Sequence, residues 1–146
     1  MRAVSATELL RLPVRHNKVE VGRPTDLMLD VDGARALGLE VVGRDNGRRF
    51  LPLAVATIEN DAIVIDSPLV LLDEDELGFY RRRGTMLRTL RGSAVARDGS
   101  PAGVVDDVVI GEHGRIVDVV VEGENGGGTL RVPPEELELD GLLAAR

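Results

Sequence analysis

Gly22-Arg23-Pro24-Thr25-Asp26-Leu27-Met28-Leu29 is a β-prone run entered through a glycine, and its layout returns 81 residues later as Gly103-Val104-Val105-Asp106-Asp107-Val108-Val109-Ile110. Such a repeat within 146 residues predicts two small copies of one unit rather than one larger domain. The residues around it extend the match. Upstream, Ser5-Ala6-Thr7-Glu8-Leu9-Leu10-Arg11 has the spacing of a capping box on a short helix, and an offset of 80 sets Thr85-Met86-Leu87-Arg88-Thr89-Leu90-Arg91 beside it. Downstream, each half has a turn, Asp32-Gly33 or His113-Gly114. A second apolar run follows, Leu37-Gly-Leu-Glu-Val-Val42 or Val117-Asp-Val-Val-Val-Glu122, so both halves read as hairpins.

A second polar loop, Arg44-Asp-Asn-Gly47 or Gly123-Glu-Asn-Gly-Gly-Gly128, leads to Phe50-Leu-Pro52 and Leu130-Arg-Val-Pro133, where proline ends the strand both times. Asp61-Ala-Ile-Val-Ile65 and Asp140-Gly-Leu-Leu143 supply one more strand to each copy. The reading is a mainly β chain of two small antiparallel β-barrels joined by a short helix: a first unit over residues 1–72, a connecting helix over 73–84, and a second, more diverged unit over 85–146. In the connector, Asp73-Glu-Asp-Glu76 would sit at the positive end of the helix and Arg81-Arg82-Arg83 at the negative end, with Gly84 as the stop and Thr85 capping the next turn. No flexible Gly/Ser linker separates the copies, so they should pack at a fixed angle.

Composition narrows the function classes. Apolar residues make up 43% of the chain and aromatics only 2%, so the cores must be aliphatic, and there is no cysteine for disulfides, thiolate chemistry or Cys-based zinc sites. Met1-Arg-Ala-Val-Ser5 lacks an apolar signal core, and no apolar run approaches the roughly 20 residues that span a bilayer, so a cytoplasmic location is expected. The net charge of -7 is unevenly spread: residues 66–78 carry five acids and no base, residues 79–91 five arginines and no acid. An acidic chain is a poor non-specific binder of nucleic acid, and the arginine segment is the one place that could reverse this.

The residues carry a family resemblance. Ser-Ala-x-Glu-Leu-x-x-Leu-Pro-Val over residues 5–14, Gly-x-x-x-Asp-Leu-x-Leu-Asp over 22–30, and Phe50-Leu-Pro-Leu before Asp61-Ala-Ile resemble the PRC-barrel domain. The second copy keeps Gly103, Asp107, Gly114 and Pro133 and resembles a diverged unit of the same kind. The resemblance implies a small β-barrel used in assembly and interaction, as in the cytoplasmic subunit of purple-bacterial reaction centres and in a ribosome-maturation factor. It implies no catalytic residue and no cofactor held by the barrel.

Other candidate chemistry is sparse. The sharpest feature is Phe79-Tyr80-Arg81-Arg82-Arg83 with Arg88 and Arg91 beyond it, since arginines beside aromatics can hold phosphates or an acidic protein surface. The plainer reading has Phe79 and Tyr80 filling the gap between barrels and the arginines paired with internal acids such as those at 73–76. Asp30-Val-Asp32-Gly33 starts like a calcium loop but lacks the rest of its spacing and is better read as a hairpin turn. Asp26 and Asp107, at matching steps of the two copies, read as structural positions that bond backbone in a turn rather than as a catalytic pair. His16 and His113 stand in polar, turn-like contexts without a catalytic or metal spacing and should be exposed, and Gly126-Gly-Gly128 lacks the Lys-Ser/Thr of a phosphate loop and reads as a hairpin tip.

These readings favour a non-enzymatic adaptor that binds another protein, with Tyr80, Arg81, Arg82, Arg83, Arg88 and Arg91 as the candidate partner-binding set and no catalytic, metal or cofactor site. The alternative is a ribosome- or RNA-associated assembly factor using the same arginines, which the scarcity of aromatic stacking platforms disfavours. A small ligand bound between the barrels is a third reading with no residue speaking for it. The Val-rich run at residues 117–121 is a candidate sheet edge through which a homodimer could form.

Overall fold

The computed structural model describes residues 3–32, 34–73, 75–76, 78–82, 84–123 and 127–139, without the side chains of Phe79, Arg81 and Leu139. In chain order, β1 (Val4–Ser5) enters α1 (Ala6–Leu9), followed by β2 (Val14–His16), β3 (Val19–Asp30), β4 (Arg35–Gly43), β5 (Arg48–Pro52), β6 (Ala56–Ile58) and β7 (Ile63–Ile65). Then come α2 (Gly78–Arg81), β8 (Thr85–Met86), α3 (Leu87–Leu90), β9 (Ala94–Arg97), β10 (Ser100–Ile110), β11 (Ile116–Glu122), β12 (Thr129–Val132) and β13 (Glu138–Leu139). No helix among the described residues is long and apolar enough to cross a membrane.

Two curled sheets result. One has the order β5-β4-β3-β2-β7-β6 and the other β12-β11-β10-β9-β13. Each is organised on one long strand, β3 or β10, bent by two bulges at matching steps: between Pro24 and Asp26 and between Met28 and Leu29 in β3, between Val105 and Asp107 and between Val109 and Ile110 in β10. A bulge adds a residue on one side of a ladder and increases the local twist, which makes a short sheet curl. The glycines that enter these strands stand where backbones crowd. A Cβ on Gly103, at φ 132°, would lie 2.0 Å from the Glu122 carbonyl oxygen, and one on Gly22 would lie 2.5 Å from Val41 Cγ1.

The sheets do not divide cleanly along the chain. β1 pairs not with its own unit but with β10, Val4 opposite Ile110 and Ser5 opposite Val109; β8 in return pairs with β3, Thr85 opposite Leu29 and Met86 opposite Met28. Under a shift of 81 residues these two exchanges are the same contact. Behind each paired strand α1 and α3 turn inward, burying Ala6 and Leu9 in one case and Leu87 and Leu90 in the other. A single apolar cluster runs through both sheets, from Leu9, Leu27, Leu39 and Ile63 to Leu87, Val108, Val119 and Val132. A further join connects Arg35 to Arg115, with the Ile116 N–H donating to the Ala34 carbonyl at 2.8 Å.

Several expectations change. The helical turns repeat at 81, not 80, so Ser5 corresponds to Met86; Thr85 lies in the β8 ladder and does not cap α3, whose N-cap Met86 makes no side-chain cap bond. Ser5 does cap α1, its Oγ accepting the Glu8 N–H at 3.1 Å. The connecting helix is one turn, and no acid stands in its first turn. Asp73 instead folds its own turn, its Oδ1 accepting the N–H groups of Asp75 at 3.1 Å and Glu76 at 3.2 Å, the local competition for which aspartate is known. One pairing is parallel, β2 with β7, and in the second sheet β13 lies antiparallel beside β9. The run at 117–121 is no edge, because β11 is paired on both sides. The strand expected at 140–143 and the Gly33 and Gly126 positions lie outside the described residues.

A shared core predicts a shared unfolding transition. Leu9→Ala and Leu87→Ala, each removing a fully buried side chain, should each cost about 2–5 kcal/mol. Urea unfolding should lower the midpoint of one cooperative transition in both variants; two separate transitions would show that the sheets melt apart.

Candidate functional site

The most constrained polar groups are two aspartates held at bulges. Asp26 is 2% exposed and Asp107 8%. Each turns its carboxylate back onto the chain: Asp26 Oδ1 accepts the Leu27 N–H at 2.8 Å, and Asp107 Oδ1 accepts the Val108 N–H at 2.9 Å. Each also reaches the helical turn donated by the other unit. Asp26 Oδ1 accepts the Arg88 N–H at 3.3 Å, and Asp107 Oδ2 accepts the Thr7 N–H at 3.4 Å. Thr7 and Arg88 are the second residues of α1 and α3, whose N–H groups have no partner within the helix, so each buried carboxylate satisfies a donor that would otherwise be orphaned.

Two of the arginines singled out in the sequence complete this junction. Arg88 Nε lies 3.2 Å from Asp26 Oδ2, a charge contact without the alignment of a hydrogen bond, and its Nη1 lies 3.9 Å from Glu40 Oε1. Arg91 donates from Nη2 to Thr7 Oγ1 at 2.8 Å and from Nε to the Asp106 carbonyl at 3.1 Å, with Asp107 Oδ1 at 3.6 Å from Nη2. The internal neutralisation anticipated for these side chains thus comes from β3 and β10, far off in sequence.

Tyr80 is placed separately. Its ring lies 4.7 Å from that of Phe50, tilted by 39°, and its carbonyl accepts the Gly84 N–H at 2.8 Å. Phe50 stands in a cross-strand row with Glu40 and Asp26 on the outer face of the first sheet. Residue 72 joins it there through two backbone bonds of 2.8 Å, Phe50 N–H to the Leu72 carbonyl and Leu72 N–H to the Phe50 carbonyl. The connecting segment therefore covers both the outer face and the edge of β5, leaving Phe50 1% exposed. Arg82 is exposed, whereas Arg83 and the Arg81 side chain lie outside the described residues.

The second sheet carries the equivalent row Asp107, Val120 and Arg131. No described residue covers its β12 end: Thr129, Leu130 and Arg131 are all exposed. Sequence reasoning missed this difference, although the repeat contains it, since Phe50 in one copy aligns with Arg131 in the other. It also missed a cleft of about 360 Å³ between the outer face of the first sheet and the segment above it, lined by residues that include Met28, Phe50, Leu72 and Met86 with Arg48 and Arg49.

The histidines and the remaining acids form no common site. His16 is half-buried rather than exposed: its Nδ1 lies 3.2 Å from the Ile65 carbonyl and its Nε2 3.2 Å from Asn17 Nδ2, which fits an Nδ1–H tautomer donating to the carbonyl and accepting from the amide. His113 is exposed in a left-handed turn at φ 59°. Among the described residues no group of three or more His, Cys, Asp or Glu side chains could hold a metal ion.

Removing Arg88 leaves the Asp26 carboxylate buried without its cation. Because Arg88 itself is largely exposed, Arg88→Ala should cost about 1–2 kcal/mol. Arg82→Ala should stay within about 0.5 kcal/mol. In a double-mutant cycle by urea denaturation, Arg88→Ala should cost much less once Asp26 is Ala; additive losses would mean that the pair is not coupled.

The comparison with known families covers the first copy. No curated protein matches the chain. The family model described as the PRC-barrel domain matches residues 1–72, the stretch that contributes β2 to β7, six of the seven strands of the first sheet. The β-barrel expectation and the family finding meet in the same residues, and the first unit of this chain is similar to the PRC-barrel domain.

Proposed function

We propose that the protein is a non-enzymatic interaction module, built from a PRC-barrel unit and a diverged copy of it, that binds a protein partner on the uncovered face and edge of β12. The observation behind this is the difference between the two copies. In the first, Leu72 and Tyr80 occupy the outer side of β5. In the second, the matching positions are open among the described residues, and Leu130 is 55% exposed. Backbone alternation turns the N–H and carbonyl of Arg131 outward, as it does those of Phe50, so an extended segment of a partner can add to β12 as residue 72 adds to β5.

The buried acids support a binding role, because Asp26 and Asp107 are consumed as caps and ion-pair partners and are withdrawn from solvent. The arginine segment supports RNA binding less well. Arg88 and Arg91 are committed to Asp26 and Asp107, and Tyr80 lies against Phe50, which leaves Arg82 as the arginine there without an acidic partner among the described residues. The proposed contact therefore moves from residues 80–91 to 129–131.

The test is affinity capture from a lysate of the source organism at low and high salt, with the wild type, Leu130→Asp, Arg131→Pro and Arg82→Glu. One protein should be retained in fixed stoichiometry by wild type and Arg82→Glu and lost with Leu130→Asp. Arg131→Pro should also lose it, since proline removes the outward N–H without breaking the β11–β12 ladder. Salt-sensitive recovery of RNA that Arg82→Glu abolishes would overturn the protein-partner reading, as would the absence of any retained protein.

A further inference from the structure

The cleft on the first sheet is a different feature from the β12 edge, and its chemistry is mixed in a specific way. Part of its wall is apolar and adaptable: Met28 and Phe50 are buried, while Leu72 and Met86 are half-buried. Two of these four are methionines, whose unbranched thioether side chains adjust to irregular ligands. The volume of about 360 Å³ lies within the range of small-molecule sites.

The charged groups of the lining are not equivalent. Glu40 accepts the Thr25 hydroxyl at 2.9 Å and faces Arg88 at 3.9 Å. Arg88 is in turn held by Asp26. Asp73 is engaged by the N–H groups of its own turn, and Arg49 is paired with Asp45 at 3.3 Å. Arg48 is the exception: among the described residues its side chain makes no ion pair or hydrogen bond, and it lines both this cleft and the adjoining one shared with Arg49, Asp73 and Asp75. An apolar patch beside one uncommitted guanidinium is complementary to a small molecule with an aliphatic or aromatic body and a single anionic end.

We infer that this cleft binds a small apolar carboxylate, its chain against Met28, Phe50, Leu72 and Met86 and its carboxylate on Arg48. The site is independent of any protein bound at β12.

The sequence supplies its own reporters, because the chain has three methionines and two of them line the cleft. With ¹³C-methyl-methionine protein, assigned through Met28→Leu and Met86→Leu, octanoate is titrated and compared with octanol. Octanoate should shift the Met28 and Met86 methyl signals saturably with one site. Octanol should bind about tenfold more weakly, the value of one charge-assisted contact. Arg48→Glu, an exposed substitution that leaves the fold intact, should weaken octanoate by at least that factor and leave octanol unchanged, with Arg48→Gln between. Arg23→Glu, on the exposed Arg23–Glu20 pair elsewhere on β3, should change nothing. The inference is overturned if no saturable shift occurs, if octanol binds as well as octanoate, or if Arg48→Glu leaves octanoate affinity as it was.

Discussion

The structure depends on two buried carboxylates that each answer a need of the opposite unit. A four-residue helix has no independent stability, because forming its first turn costs more chain entropy than its hydrogen bonds return. α1 and α3 exist because their apolar sides enter the common core and because Asp26 and Asp107 accept their unpaired N–H groups. Each aspartate is itself tolerable in a buried place only because it has those donors and an arginine beside it. Helix, carboxylate and cation thus require one another. Since the helix comes from one unit and the carboxylate from the other, the requirement fixes how the two sheets meet.

The same exchange explains why the repeat is more regular in space than in side chains. The bulges of β3 and β10, the β1 and β8 ladder partners and the N–H groups that meet the aspartates recur at 81, while the partners of β3 on β4 return on β11 at 80. The partners of the cations do not recur. Arg88 approaches its aspartate from the helix residue that also donates the N–H, whereas Arg91 reaches Asp107 from the C-terminal end of α3 and secures Thr7 on the way. One half has its carboxylate and cation joined across the junction, and the other has both junction helices tied to a single guanidinium. A geometric demand can be met by different charges provided that no buried carboxylate is left alone.

Where the copies differ, open surface appears. Covering β5 with Leu72 and Tyr80 removes one sheet edge and creates a recess beneath the cover; the edge of β12 stays open among the described residues. Unpaired strand edges invite further pairing, and folds that keep one in the open tend to limit its length or add charge to it. β12 has four residues, and one of them is Arg131. The arginines that looked like a single basic patch along the chain are dispersed by the fold, two into the junction and one onto the surface. Clustering in sequence placed them on successive turns, and turns of one residue run can face different partners.

The sequence by itself determined the mainly β class, the matching layout of the two sheets, the hairpins, the proline ends of β5 and β12 and the backbone bonding of Asp26 and Asp107, because these follow from local periodicity, turn residues and a near-constant offset. It also located the cap at Ser5, whose bond spans three residues. Only the tertiary structure decided that β1 and β8 change places, that the run at 117–121 lies inside its sheet, that Arg88 and Arg91 are already neutralised, and that Met28, Phe50 and Arg48 border one cleft. Each of those facts rests on contacts between residues far apart in the chain: Thr7 meets Asp107 across 100 positions and Arg88 meets Asp26 across 62. Periodicity reports which side of a strand a residue occupies, but the identity of what faces it is set by how two sheets pack, and that is a property of the folded core rather than of any segment within it.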